Sequence, residues 1–200
     1  MKELELEGRF AELERARLAR LAREWLEIEK SRPPFEVLAT ERSQALSVAG
    51  LEFSGRIDRM DRLEGGGHAL IDYKTSRTPS PKHWQPPRPE DPQLPLYAVA
   101  AKEPVAAVAF AKVRPGEMRF MGFSREKDAL PRVLQAKNWK SLLEGWKSEA
   151  EALGTAFAAG EAAVDPKREL QTCRYCALHT LCRVYEKVNV LSEGPEEGEE

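Results

Sequence analysis

The sequence predicts an α/β domain, a β-sheet with helices against its faces, and three observations carry that prediction. Residues Lys2–Lys30 are rich in Leu, Ala, Glu and Arg, and Leu18, Leu21, Trp25 and Ile28 recur at the spacing of one helical face. Strand-like segments follow, broken by the turn Gly65-Gly66-Gly67. Helical composition then alternates with further strand composition, the order in which helices cover a sheet.

Taken in order, the first helix stops at Ser31-Arg32-Pro33-Pro34, because proline cannot continue the hydrogen-bond ladder and biases its predecessor away from helix. Phe35–Thr40, Gln44–Val48, Leu51–Leu63 and Ala69–Thr75 read as strands forming a meander. Thr78–Pro92 holds six prolines and reads as a long loop, functional or mobile. Gln93–Lys102 returns to helical composition. Val105–Val113 and Met118–Phe123, parted by Arg114-Pro115-Gly116, read as two more strands. Ser124 is a candidate N-cap for a final helix, where Trp139, Leu142, Trp146, Ala150, Leu153 and Phe157 form a stripe that reads as core packing.

Composition narrows the class. Two hundred residues make one sizeable domain or at most two small ones. A chain 42% hydrophobic and 32% charged fits a globular protein and excludes collagen-like or wholly disordered chains. Its longest apolar stretch, Val105–Val113, contains Lys112 and falls far short of the roughly 20 residues that cross a bilayer. No secretory signal follows Met1, so the expected location is the cytoplasm, away from membranes. The net charge of −2 conceals an acidic tail: Ser192–Glu200 holds five glutamates, and without them 31 Lys and Arg face 28 Asp and Glu. That mildly basic body permits nucleic-acid binding without arguing for it. The tail reads as solvated and disordered.

The chemistry concentrates in Gly55-Arg56-Ile57-Asp58-Arg59-Met60-Asp61 and Leu70-Ile71-Asp72-Tyr73-Lys74-Thr75. Asp72 and Lys74, two apart on a strand, emerge on one face. A hairpin across the glycine turn brings Asp58 and Asp72 together at one end of the sheet. Two carboxylates and a lysine suit Mg²⁺-dependent phosphodiester hydrolysis, since magnesium takes oxygen ligands and keeps several waters. The bland alternative for an isolated Asp-x-Lys is a surface ion pair of little weight. Gln93 and Tyr97, four apart, share a helical face from which an amide and a phenol can hold a carboxylate or contact DNA backbone. Arg59 and Asp61 are expected to pair or face solvent. His68 and His83 are expected as exposed loop residues rather than ligands.

These segments, with Gln93-Leu94-Pro95-Leu96-Tyr97 following in order, resemble the PD-(D/E)xK nucleases of the RecB/AddB type. The resemblance covers about Glu41 to Tyr97 and resumes at the cysteines. It implies a restriction-endonuclease-like central mixed sheet flanked by helices, with a cysteine-bearing C-terminal segment. It implies that Asp58 and Asp72 are ligands of Mg²⁺ or Mn²⁺, that Lys74 is catalytic, and that Gln93 and Tyr97 border the site. Glu41 aligns with an acidic residue that supports it. The implied organisation is a helix over residues 1–34, a nuclease core over 35–160, a cysteine segment over 161–191 and the acidic tail over 192–200. The implied activity is a DNA nuclease, in the family's common mode an exonuclease, acting in recombination or repair, with a helicase as partner. A catalytically idle DNA-binding scaffold and a zinc-binding interaction domain are the alternatives.

The family's upstream helical histidine has no counterpart before His68. Together with the cysteines, this leads to the expectation that the chain is the C-terminal portion of a longer protein. Cys173, Cys176 and Cys182 are similar to the C-terminal cysteine group that holds a 4Fe–4S cluster in AddB-like nucleases, whose fourth ligand lies far upstream. From the residues alone, Cys173, Cys176, His179 and Cys182 also match a Cys₃His zinc site, and free thiols packed as small hydrophobes are a third reading.

Overall fold

A computed structural model describes residues 8–75 and 79–184, without the side chains of Glu169 and Leu170. Residues 1–7, 76–78 and 185–200, among them the acidic tail, lie outside the described residues. The chain divides into two compact units, Met1–Thr155 and Ala156–Glu200.

The first unit is the expected α/β structure. Helix α1 (Gly8–Lys30) precedes β1 (Phe35–Val48), β2 (Leu51–Leu63) and β3 (His68–Lys74). A 3-10 turn (Pro81–Trp84) and α2 (Gln93–Ala100) cross over to β4 (Val105–Lys112), followed by β5 (Arg119–Ser124), the two-residue β6 (Leu134–Gln135) and α3 (Trp139–Ala158), which runs past the unit boundary. The sheet is mixed and its strands lie in chain order: β1, β2 and β3 form the predicted antiparallel meander, β3 and β4 are parallel, β4 and β5 antiparallel, β5 and β6 parallel. A parallel β3–β4 pair requires a crossover, and α2 supplies it.

Every residue of β4 is buried, as befits a strand covered on both faces. Its two faces differ in size. Val108 and Phe110 enter a core with Leu46, Ile57, Leu70, Trp84, Leu94, Tyr97 and Trp146. Ala107, Ala109 and Ala111 form a shallow stripe on the other face, where Trp25 of α1 packs with Ile71, Phe120 and Leu130. Small residues under one face and large ones under the other let a helix lie close on the α1 side.

Local departures from expectation have physical causes. The two segments predicted within Phe35–Val48 are one strand, carried through Glu41 by a left-handed residue (φ 50°) rather than broken. The proline-rich loop inserts Trp84 fully into the core, and Trp146 Nε1 donates to its carbonyl at 2.9 Å, so this loop is an anchor for α3. Ser124 ends β5, fully buried, with its hydroxyl donating to Glu126 O at 2.7 Å; the cap of α3 is Asn138, whose Oδ1 accepts from Ser141 N at 3.0 Å. Leu18 of the first stripe is exposed while Leu21 and Trp25 are buried, and in α3 only the Trp139–Trp146 half of the stripe packs on the core, Leu153 being exposed. His68 is a β3 residue, half buried with Nδ1 enclosed, rather than an exposed loop residue.

The second unit contains the short helices α4 (Glu169–Cys173) and α5 (His179–Cys182). No helix among the described residues is long and apolar enough to cross a membrane.

Candidate active site

The β2–β3 ladder runs from Arg62↔His68 to Arg59↔Ile71 and ends there. The next residue on each strand is an aspartate, Asp58 on β2 and Asp72 on β3. In place of a further ladder bond, Asp58 Oδ2 accepts the backbone N–H of Tyr73 at 2.9 Å. The strands thus part where the two carboxylates stand. Leu70, on the α2 face, fixes the facing of the alternating residues Asp72 and Lys74.

Asp72 is 4% exposed and pairs with Lys74, Nζ to Oδ2 2.8 Å. Burial raises the Asp72 carboxyl above its ordinary value; Lys74 opposes that rise, and the negative charges of Asp58 and Asp91 add to it. Burial also pulls the Lys74 ammonium down, but its hydrogen bond to Asp72 and the fields of Asp72, Asp91 and Asp58 prevail, so its pKa lies above the ordinary lysine value. The site therefore holds a charged lysine and a carboxylate poorly compensated for its burial. Lys74 Nζ also reaches Gln93 Oε1 at 3.5 Å, so the first residue of α2 faces the same group.

Tyr97 lies one turn further along α2, and its hydroxyl turns to the backbone of β2. It is 7% exposed, and its hydroxyl both donates to Arg56 O and accepts from Arg56 N, each at 3.0 Å. A buried phenol needs partners for donor and acceptor, and here both come from the strand two residues before Asp58. Gly55 makes the approach possible: a Cβ there would lie 2.4 Å from Tyr97 Cε1. Glu41 stands on β1 between the pairs Thr40↔Arg59 and Arg42↔Ile57, at the level of Asp58, but its exposed carboxylate pairs with Arg56 Nε at 3.0 Å.

Behind the sheet, Arg59 and Asp61 do pair, but in a buried ring rather than in solvent. Arg59 Nε donates to Asp61 Oδ1 (2.7 Å), Arg32 Nη2 to Asp61 Oδ2 (2.8 Å), Arg32 Nη1 to Glu29 Oε2 (2.7 Å) and Arg59 Nη1 to Glu29 Oε1 (3.0 Å). Arg59 Nη1 also donates to Tyr73 Oη at 2.9 Å. Two anions thereby neutralise two cations, and the end of α1 is fixed to the strands that carry Asp58 and Tyr73.

Asp91 is the residue sequence reasoning missed. It lies in the loop before α2, and its charge is felt at both Asp72 and Lys74. Its place two residues before Gln93, next to Pro92 at the start of the helix, is the signal by which it could have been found.

The donors at Asp58 and Asp72 are all oxygen, adjacent and short of positive charge, which fits a hard divalent ion held by two carboxylates and water. Among the described residues no three His, Cys, Asp or Glu side chains converge to bind a metal. That statement also covers Cys173, Cys176, His179 and Cys182. The Cys176 thiol accepts from Leu178 N at 3.4 Å, the Cys182 thiol donates to His179 O at 3.6 Å, and His179 Nε2 bonds to Cys173 O. These bonds are local to the segment, and no metal ligand set forms there among the described residues.

A model of the PD-(D/E)XK nuclease superfamily matches residues 2–183. The chain belongs to that superfamily. Its mixed six-stranded sheet and flanking helices are consistent with a restriction-endonuclease-like fold. The crystal structure of SSO0001 is similar to this chain with a TM-score of 0.38 and 17% identity, over 72% of this chain and 59% of that one. This chain therefore spans less than two thirds of that solved relative. Comparison with curated proteins gives no match.

Proposed function

We propose that the chain is a metal-dependent DNA nuclease of the RecB/AddB type, working in recombination or repair, with exonuclease action as its mode and a helicase as partner. The observation that carries the reading is the parting of β2 and β3 at Asp58 and Asp72, with Lys74 held 2.8 Å from Asp72 on the same face. Asp58 and Asp72 are the ligands for Mg²⁺ or Mn²⁺. The bound ion supplies Lewis-acid neutralisation of charge on the phosphate.

The other roles belong to the chain's own groups. Tyr73 N–H orients the Asp58 carboxylate, leaving its second oxygen for the ion. Lys74 stays protonated beside Asp72 and supplies a fixed positive charge where the phosphate accumulates negative charge in the transition state. Gln93 limits the swing of the lysine, and Tyr97 fixes β2 through Arg56, so both act by positioning. Glu41, paired with Arg56 on the exposed side, supports the same turn of strand. No step uses the cysteines.

Linear DNA with Mg²⁺ or Mn²⁺ tests the reading. Asp72→Asn and Lys74→Met are each expected to lower cleavage at least about a hundredfold, the range for removing one electrostatic group, with melting still cooperative. Calorimetric Mn²⁺ binding is expected for the parent and absent in Asp72→Asn. Parent and Asp72→Asn binding Mn²⁺ with the same heat would overturn the ligand assignment. A parent that binds Mn²⁺ and DNA but leaves the DNA intact would favour the idle scaffold.

A further inference from the structure

The last residue of β4 is Lys112, and its ladders place a cation on either side of it. The parallel ladder pairs it with Lys74 and the antiparallel ladder with Arg119. Directly paired residues share a face of the sheet. That face is the one with Asp72, because Leu70, Val108 and Phe110 pack together on it while Ala109 and Ala111 lie on the other. A row of three cations therefore crosses three adjacent strands, each about 4.8 Å from the next, at the end of the sheet where Asp58 and Asp72 stand.

Two members of the row lie outside the chemistry assigned above. Lys112 is 1% exposed, and a lysine is almost never so buried unless paired. Its partner is Glu117 of the β4–β5 hairpin, in direct contact through Oε2 and itself 44% exposed. Arg114 Nη1 stands 3.9 Å from the same carboxylate. The hydrogen bond from Lys112, its charge, and the charges of Arg114 and Arg119 hold the Glu117 carboxyl below its ordinary value. Arg119 Nε is enclosed and has no hydrogen-bond partner among the described residues. A simple buried ion pair needs one cation; here three surround one acid, and one of them has an enclosed donor left over.

We propose that Lys112 and Arg119, with Arg114 at the rim, form a phosphate subsite that holds the nucleic-acid backbone beside the Asp58–Asp72–Lys74 centre, and that Glu117 fills it until a phosphodiester displaces it. Glu117 suits a stand-in: it follows the hairpin turn and is 44% exposed, so its carboxylate can move into water as a phosphate oxygen takes its place on Lys112. A phosphodiester offers oxygens to Lys112 and, in charge-assisted geometry, to the open Arg119 donor at once. The inference rests on the nuclease reading and deepens it by assigning where the strand lies relative to the cleavage centre.

Anisotropy binding of a single-stranded oligodeoxynucleotide to the full chain, in EDTA and over a range of salt, tests the subsite. Lys112→Met and Arg119→Gln are each expected to weaken binding and to reduce the slope of log K against log salt by about 0.7, the value for one phosphate contact on a single strand. Glu117→Gln is expected to tighten binding. Glu36→Gln, an exposed acid at the opposite end of the sheet, is expected to leave it unchanged. Arg119→Gln with the parental affinity and slope overturns the subsite, and Glu117→Gln indistinguishable from Glu36→Gln overturns the stand-in. Arg119 and Glu117 are not fully buried, so the test stands even where Lys112→Met fails to fold. A parent with no affinity for DNA would defeat the nuclease reading and the subsite together. A parent whose cleavage depends on Asp72 and Lys74 while its binding ignores Arg119 and Glu117 would defeat the subsite alone.

Discussion

Asp72, Gly55 and Glu117 show how much a single side chain or its absence settles here. Asp72 is held where its charge is least welcome, and the same burial makes it a good ligand for a cation that restores the balance. Gly55 owes its identity to Tyr97: Gly55→Ala forces a methyl against the phenol ring, and we expect a loss of about 1–3 kcal/mol by overpacking, read as a fall in urea midpoint, together with reduced cleavage because Tyr97 shifts the strand before Asp58. Glu117 gives a signed pH dependence. Its folded-state pKa is depressed, so its contribution to stability is present above the ordinary glutamate value of 4.5 and is lost as pH falls through the lower folded value. The melting-temperature gap between parent and Glu117→Gln should be open at pH 7 and close as pH falls below about 4.5; a gap independent of pH would mean that the Lys112–Glu117 pair does not form in solution.

At the level of elements, two contacts connect the helices to the strands that carry Asp58 and Asp72. The α2 helix holds β2 through the paired bonds of Tyr97 with Arg56. Tyr97→Phe leaves the part-buried N–H and C=O of Arg56 without their phenol partner, an expected cost of about 0.5–1.5 kcal/mol, with cleavage falling along with stability. The α1 helix holds the opposite face through the ring of Glu29, Arg32, Asp61 and Arg59, in which Arg32 also stacks 3.7 Å above Phe35. Removing one member leaves a buried charge uncompensated, so Arg32→Met should cost about 3–5 kcal/mol, measured by denaturant unfolding. The periodicity of α1 made the helix legible in the sequence, but not the ring: Glu29 on α1, Arg32 in the bend after it, and Arg59 and Asp61 on β2 are charged residues, and only their convergence makes them core. The Ser124 cap failed for a related reason. A serine before a polar stretch is a good cap by type, yet the segment after it turns and contributes β6, and Asn138 at the true start caps α3.

Across the whole molecule, the chemistry proposed resides in the first unit, and the cysteines reside in the second without a converging ligand set. Replacing Cys173, Cys176 and Cys182 together by serine should therefore leave metal-dependent cleavage and the melting transition unchanged. Loss of either, with stoichiometric iron or zinc found in the parent by elemental analysis, would reinstate a metal there. The sequence by itself determined the α/β class, the order of strands and helices, and the spacing of Asp58, Asp72, Lys74, Gln93 and Tyr97, because hydrophobic period, glycine and proline punctuation and short motifs are local properties of the chain. Only the tertiary structure decided that the β2–β3 ladder stops one residue short of the aspartates, that Tyr97 turns to the backbone of Arg56, that Trp84 anchors α3, and that Lys112 and Arg119 stand in register with Lys74 across the sheet. Those outcomes depend on register and burial between segments distant in sequence, and a charged or aromatic residue carries no mark of its partner until the fold brings the two together.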